Sequence, residues 1–205
     1  MVENKHNSQS INFIKMIENH NGQSGLSDIV FAGTGVKAEK CYQCGKCSAG
    51  CPVNVDMDFP PSVVMRMLQY KDDEMDQKIL GSKSIWLCVT CEMCYSRCPM
   101  EIDIPKMMDL LREKAYKEKK ANKSSHSIIA FHKAFLNSIK RNGRLSEIGL
   151  LGEYKLATFD IMKDVNLALP MLSRGKLHLL PDKIKNTKLM KRIFKRTINQ
   201  EEAQP

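Results

Sequence analysis

Apolar side chains recur along most of this chain at intervals of three and four residues, the spacing that puts them on one face of a helix. In "INFIKMIENH" they fall at 11, 13, 14 and 17, which predicts one short amphipathic helix, broken by "NGQSG". Between 52 and 87 they fall at 63, 64, 67 and 68, then at 75, 79 and 80. That predicts two short helices, opened by Pro61 and closed by Gly81. "EIDIPKMMDLLREKAYKEKKANKSS" predicts a helix from near Pro105, with Met107, Met108, Leu110, Leu111 and Ala115 on its apolar side. "SSHSIIAFHKAFLNSIKRNGR" predicts another, capped by Ser124 or Ser125 and stopped at Asn142–Gly143. Two or three further helical pieces are expected up to Pro170. A strand-like alternation of any length is missing, so the expected fold class is all-α. The pattern divides into an N-terminal extension (1–34), a central domain (35–120) and a helical C-terminal extension (121–205).

Composition narrows the class only a little. Apolar residues are 42% and charged residues 27% of 205, ordinary for a soluble globular chain. No apolar run approaches the roughly 18 residues of a membrane-spanning helix. The N-terminal stretch lacks a basic segment followed by an apolar block, so no secretory signal is expected and the cytoplasm is the expected compartment. Charge is unevenly placed. Residues 1–100 carry 10 Lys/Arg against 11 Asp/Glu, and residues 101–205 carry 22 against 12. The excess is densest in "KIKNTKLMKRIFKR", 183–196, with seven cations and no anion. Aromatic residues are few, while Met occurs 13 times, and most Met is expected in the core.

The eight cysteines change the picture most. They form two sets, Cys41, Cys44, Cys47, Cys51 and Cys88, Cys91, Cys94, Cys98, each spaced C-x2-C-x2-C-x3-C-P. Disulfides suit an oxidising compartment, and bridges between cysteines three apart would close very small loops of little value. Structural zinc usually takes two pairs of ligands separated by a longer span. Three cysteines within seven residues and a fourth before proline is the bacterial iron–sulfur pattern. Thiolates at i, i+3 and i+6 wrap one side of a cube of four irons, and the fourth ligates the neighbouring cluster in two-cluster chains. The expected ligands are therefore Cys41, Cys44, Cys47 and Cys98 for one [4Fe-4S] cluster and Cys88, Cys91, Cys94 and Cys51 for the other. This crossed wiring holds two cubes side by side.

Residues between the ligands differ between the motifs. Gly45, Ala49 and Gly50 are small enough for backbone N–H groups to approach sulfur; Glu92 and Arg97 stand where the first motif has Gly45 and Gly50. Lys46 and Arg97 carry positive charge, either near a cluster or simply in solvent. The two potentials should differ, in an order the sequence does not reveal. Trp86 is expected to pack. His126, His132 and His178 are scattered and read as ordinary residues. "GTGVKAEK", 33–40, is a lone Gly-x-Gly and is expected to be a connecting loop. Neither a phosphate loop nor a substrate site stands out, so the catalytic set is empty and the chain looks like wiring between partners that own the chemistry.

The segments "CYQCGKCSAGCPV" and "SIWLCVTCEMCYSRCPMEIDIPKMMDLLR" resemble the iron–sulfur relay subunit of the soluble heterodisulfide reductase of methanogenic archaea. "AFLNSIKRNGRLSEIGLLGEYKL" and "LPMLSRGKLHLLPDKIKNTKLMKRIF" resemble the C-terminal part of that same polypeptide, so the likeness runs from about residue 30 to residue 194. The resemblance implies an α-helical ferredoxin fold carrying two [4Fe-4S] clusters. It implies electron relay from a flavin-containing, bifurcating subunit to a catalytic subunit that reduces the mixed disulfide of coenzyme M and coenzyme B. A nickel–iron hydrogenase or a formate dehydrogenase would feed such an assembly. The cluster motifs alone are shared with fumarate reductase iron–sulfur subunits. Two other readings stay open: a free dicluster ferredoxin, and a nucleic-acid-binding chain using the 183–196 run. The apolar residues Ile184, Leu189, Met190, Ile193 and Phe194 within that run suit docking on a protein, so neither nucleic acid nor membrane is the expected partner.

Overall fold

The computed structural model describes residues 25–159, 170–171, 174 and 183–202, the last five by backbone alone. The helix expected at 11–17, and His178, lie outside the described residues. The described residues contain helices and turns and no strand. The chain divides into two compact units, Met1–Ser125 and His126–Pro205.

The first unit begins with α1 (Leu26–Thr34), a helix that the apolar spacing did not reveal. Its N-terminus is held from a distance: the buried Asp76 carboxylate accepts the Leu26 N–H at 2.7 Å. Gly35, at φ 76°, ends it by donating to the Phe31 carbonyl. Leu26 and Val30 enter the core, so these residues belong to the packed unit and not to an extension. Gly33 allows α7 to come close, because a Cβ there would meet Leu110 Cδ1 at 2.1 Å. Residues 33–40, expected to be a loop, hold the end of α1, a connection and one 3-10 turn, Ala38–Lys40.

Next come α2 (Lys46–Ala49), a 3-10 turn (Asn54–Asp56), α3 (Pro61–Tyr70), α4 (Asp73–Leu80), α5 (Ser84–Leu87), α6 (Met93–Ser96) and α7 (Ile104–Lys117). The two helices opened at Pro61 and closed at Gly81, and the helix at Pro105, form as the spacing predicts. Pro61 starts α3 and needs no amide partner there. Asp72 caps α4 by accepting from Met75 N, and Asp103 caps α7 by accepting from Lys106 N. Asp58 ties the loop before α3 to the start of α5, accepting from Lys83 N (2.9 Å) and Ser84 N (3.0 Å). The core under these helices is aliphatic and Met-rich: Val64, Met65, Leu68, Ile79, Ile85, Met107, Met108 and Leu111 are fully buried. Trp86 packs against it, as expected.

The second unit contains α8 (His126–Asn142), α9 (Glu147–Thr158) and α10 (Thr187–Glu202). Neither Ser124 nor Ser125 caps α8. Ser125 Oγ is buried without a partner, and Asn122 Oδ1 takes both the amide and the hydroxyl of Ser124. The stop at Asn142–Gly143 is as predicted, with Gly143 at φ 76°. Ser146 caps α9 and donates its own amide to Ser138 Oγ at 2.9 Å. Arg141 pairs with Glu153 across α8 and α9. The described core here is thin, with Ala130, Ala134 and Leu150 its buried apolar residues.

Candidate iron–sulfur centre

The stretch 88–117 repeats several features of 41–70. Each copy begins after a short helical turn, Ala38–Lys40 or Ser84–Leu87. Two residues past the first cysteine the backbone turns left-handed, at Gln43 (φ 60°) and Thr90 (φ 49°). Two residues further it does so again, at Gly45 (φ 75°) and Glu92 (φ 61°), and these residues start α2 and α6. Left-handed residues between right-handed ones aim successive amides into one concavity, a geometry that suits an anion. For three of the four a side chain occupies a region that L-residues avoid, and such strain clusters at functional sites.

Burial of the cysteines repeats too. Cys47 and Cys94 are buried at 8% exposure each, Cys44 and Cys91 are exposed, and the other four are half-buried. All eight are free thiols. The helix after each motif presents the same apolar quartet: Pro61, Val64, Met65 and Leu68 on α3, and Ile104, Met107, Met108 and Leu111 on α7.

The fourth cysteine of the first set stands with the second set. Cys51, Cys88, Cys91 and Cys94 border one cavity, enclosed otherwise by apolar groups including Pro52, Met57, Pro61, Ile104 and Met108. Cys98 is near enough to the Tyr42 phenol for its charge to act there together with those of Cys44 and Cys41. Desolvation and then the charges of Cys44, Cys98 and Cys41 hold that phenol above its ordinary range. Burial, with the Cys88 thiolate adding to it, pushes the Cys94 thiol up to about 11. Burial also raises Cys88, opposed by the Thr90 amide and the Arg112 charge and reinforced by Cys51. Cys47 is raised by burial as well, against hydrogen bonds from Ser48.

Among the described residues, no three Cys, His, Asp or Glu side chains converge on a point that would hold a single metal ion. The four thiols of the cavity are spread around a space, and tetrahedral zinc needs four ligands meeting at about 2.3 Å. Soft thiolates around an apolar, partly enclosed volume fit a multi-iron cluster. The amide of Ile102 reaches Cys98 Sγ at 3.5 Å, a hydrogen bond of the kind that tunes such clusters.

Two residues at this site carried no sequence signal by themselves. Gln69 Nε2 donates to the carbonyl of Cys41 at 2.6 Å and to that of Ala38 at 2.9 Å. Arg112 Nη1 donates to the carbonyl of Cys88 at 3.1 Å. Their equivalence shows only when the copies are aligned from the starts of α3 and α7. Lys46, Ala49 and Arg97 line an open patch, and the Arg97 guanidinium lies over Gly50.

Residues 37–102 match the 4Fe-4S dicluster domain. Among curated proteins, the chain is 33% identical over 97 residues to the C2 subunit of the H(2)/formate:CoB-CoM heterodisulfide,ferredoxin reductase of Methanococcus maripaludis, covering 44% of this chain and 50% of that protein. It is 26% identical over 113 residues to the CoB--CoM heterodisulfide reductase iron–sulfur subunit of Methanopyrus kandleri, covering 55% of this chain and 57% of the relative. It is 29% identical over 113 residues to the corresponding iron–sulfur subunit of Methanocaldococcus jannaschii, covering 55% and 59%. The chain is similar to the heterodisulfide reductase iron–sulfur subunit of methanogens. With an all-α first unit that matches the 4Fe-4S dicluster domain, it has an α-helical ferredoxin-like fold. It spans about half the length of these relatives, and the matches cover less of it than the 30–194 likeness read from the sequence. Among the described residues no helix is long and apolar enough to cross a membrane.

Proposed function

We propose that this chain is the electron-relay subunit of a cytoplasmic heterodisulfide reductase. In this reading it carries one [4Fe-4S] cluster on Cys41, Cys44, Cys47 and Cys98, and a second on Cys88, Cys91, Cys94 and Cys51. The observation that carries the reading is the cavity bordered by Cys51 together with Cys88, Cys91 and Cys94. A ligand from the far motif is what side-by-side cubes require. The clusters, when bound, supply one-electron redox chemistry. The chain itself contributes the thiolates, amide donors, an apolar wall that limits water, and the exposed edges at Cys44 and Cys91 through which partners approach.

The partners in this reading are a flavin-containing subunit, which splits electron pairs, and a catalytic subunit, which reduces the mixed disulfide of coenzyme M and coenzyme B. A nickel–iron hydrogenase or a formate dehydrogenase supplies electrons upstream. The likeness to subunits of CoB-CoM heterodisulfide reductases supports this assembly. The second unit and its basic helix α10 serve docking: Leu189 and Ile193 are exposed on it beside Lys188, Lys191, Arg192, Lys195 and Arg196. An anaerobic pull-down of the native chain, analysed for iron and flavin, tests the proposal. Co-purification of a flavoprotein and a second, catalytic redox protein is expected. A monomer that shuttles electrons alone would overturn it in favour of a free ferredoxin.

A further inference from the structure

The two halves of the cluster domain are alike in backbone and burial, and of the equivalent places where they differ in charge, Gln69 and Arg112 are the pair shielded from solvent, whereas Glu92 and Arg97 are exposed. Gln69 is the ninth residue of α3 and Arg112 the ninth of α7, each next to the last member of the same apolar quartet. Each reaches the carbonyl of the first cysteine in its half, Cys41 or Cys88. One of these donors is a neutral amide. The other is a guanidinium, which stays protonated at any pH a protein survives.

The Arg112 side chain is only 18% exposed, so water screens its charge poorly. Its ion-pair partner Asp109, one turn earlier on α7, is 62% exposed, and its charge is more fully screened. Lys46 and Arg97, on the open patch, and Glu92 and Glu101, on the second motif, are exposed to solvent. Adding an electron to a cluster adds negative charge, and a fixed, poorly screened cation stabilises the reduced form.

We propose that Arg112 makes the cluster of Cys51, Cys88, Cys91 and Cys94 the higher-potential member of the pair. An electron entering the chain therefore comes to rest on that cluster, and the chain has a direction. This ordering rests on the crossed ligand sets proposed above.

The test is an EPR-monitored redox titration of the full chain, purified anaerobically with its clusters. Cys91→Ser, which alters or removes one signal, identifies the second cluster. Arg112→Gln places there the residue that already reaches the matching carbonyl in the other half, and Arg112→Lys keeps the charge. In the native chain the second cluster is expected to have the higher midpoint. Arg112→Gln should lower its reduction constant about tenfold, about 59 mV for a one-electron couple, and leave the first cluster unmoved. Arg112→Lys should stay near the native value. A higher midpoint on the first cluster, unmoved potentials in Arg112→Gln, or an equal fall in Arg112→Lys would overturn the proposal. Iron is counted first: fewer than about eight per native chain overturns the ligand sets themselves, which separates the two failures.

Discussion

Cys51 ends the first cysteine motif, yet it shares its cavity with Cys88, which begins the second. In the proposed wiring the two copies of the motif are interlocked, and neither cluster would be complete on its own stretch of chain. Loss of one cysteine should therefore be felt in the other copy.

Cys98→Ala is expected to damage the cluster of Cys41, Cys44 and Cys47 and to spare that of Cys88, Cys91 and Cys94. Iron content should fall toward about half, with one EPR signal lost. Loss of the Cys88 cluster alone would contradict the crossed wiring.

Gly45 and Glu92 occupy the same left-handed position at φ 75° and φ 61°. Space is open where a Cβ on Gly45 would stand, so Gly45→Ala meets conformational cost alone, about 1 kcal/mol. Glu92→Gly should relieve a similar strain and stabilise the domain by up to about 1 kcal/mol. Denaturant unfolding of the cluster-loaded chain checks both. Equal stability of all three proteins would contradict the shared constraint.

This repeat also shows what the sequence disclosed. The doubled cysteine spacing and the helices at Pro61 and Pro105 were legible because cysteine spacing and 3.6-residue periodicity are local signals. Helix α1 was not, because its N-terminus is held by Asp76, fifty residues away, and its core contacts are Leu26 and Val30, too few to show a period. The pairing of Gln69 with Arg112 was hidden for a related reason. The link from Cys41 to Gln69 spans 28 residues and that from Cys88 to Arg112 spans 24, so the copies fall out of register after the cysteines. The Ser124 or Ser125 cap was misread because Asn122, just before them, accepts from the Ser124 amide and ties up its hydroxyl.

Asp76 is buried, and its carboxyl pKa is raised, chiefly by burial and further by Asp73 and Asp72, against the Leu26 hydrogen bond. A raised folded value means that stability is fully present below the unfolded pKa and is lost as pH rises through the folded one. Asp76→Asn keeps an acceptor for Leu26 N–H and never ionises. It should melt at or above the native temperature at pH 8, with the advantage shrinking as pH falls through the raised Asp76 pKa. Asp76→Ala leaves the amide without its acceptor and should cost about 1–2 kcal/mol. A native chain that gains on Asp76→Asn as pH rises would contradict the assignment.

Removal of residues 183–205 is expected to weaken recovery of partner proteins in an anaerobic pull-down while iron content stays that of the full chain. The basic, apolar-edged helix α10 lies in the second unit and the cysteines in the first. Undiminished partner recovery would remove the docking role.

Two iron–sulfur cubes held by exchanged thiolates require a full complement of iron and sulfide. The most direct test is metal and sulfide analysis of the anaerobically purified chain. The account predicts about eight irons and about eight acid-labile sulfides per chain, with no stoichiometric zinc. Stoichiometric zinc, or about four irons, would contradict it.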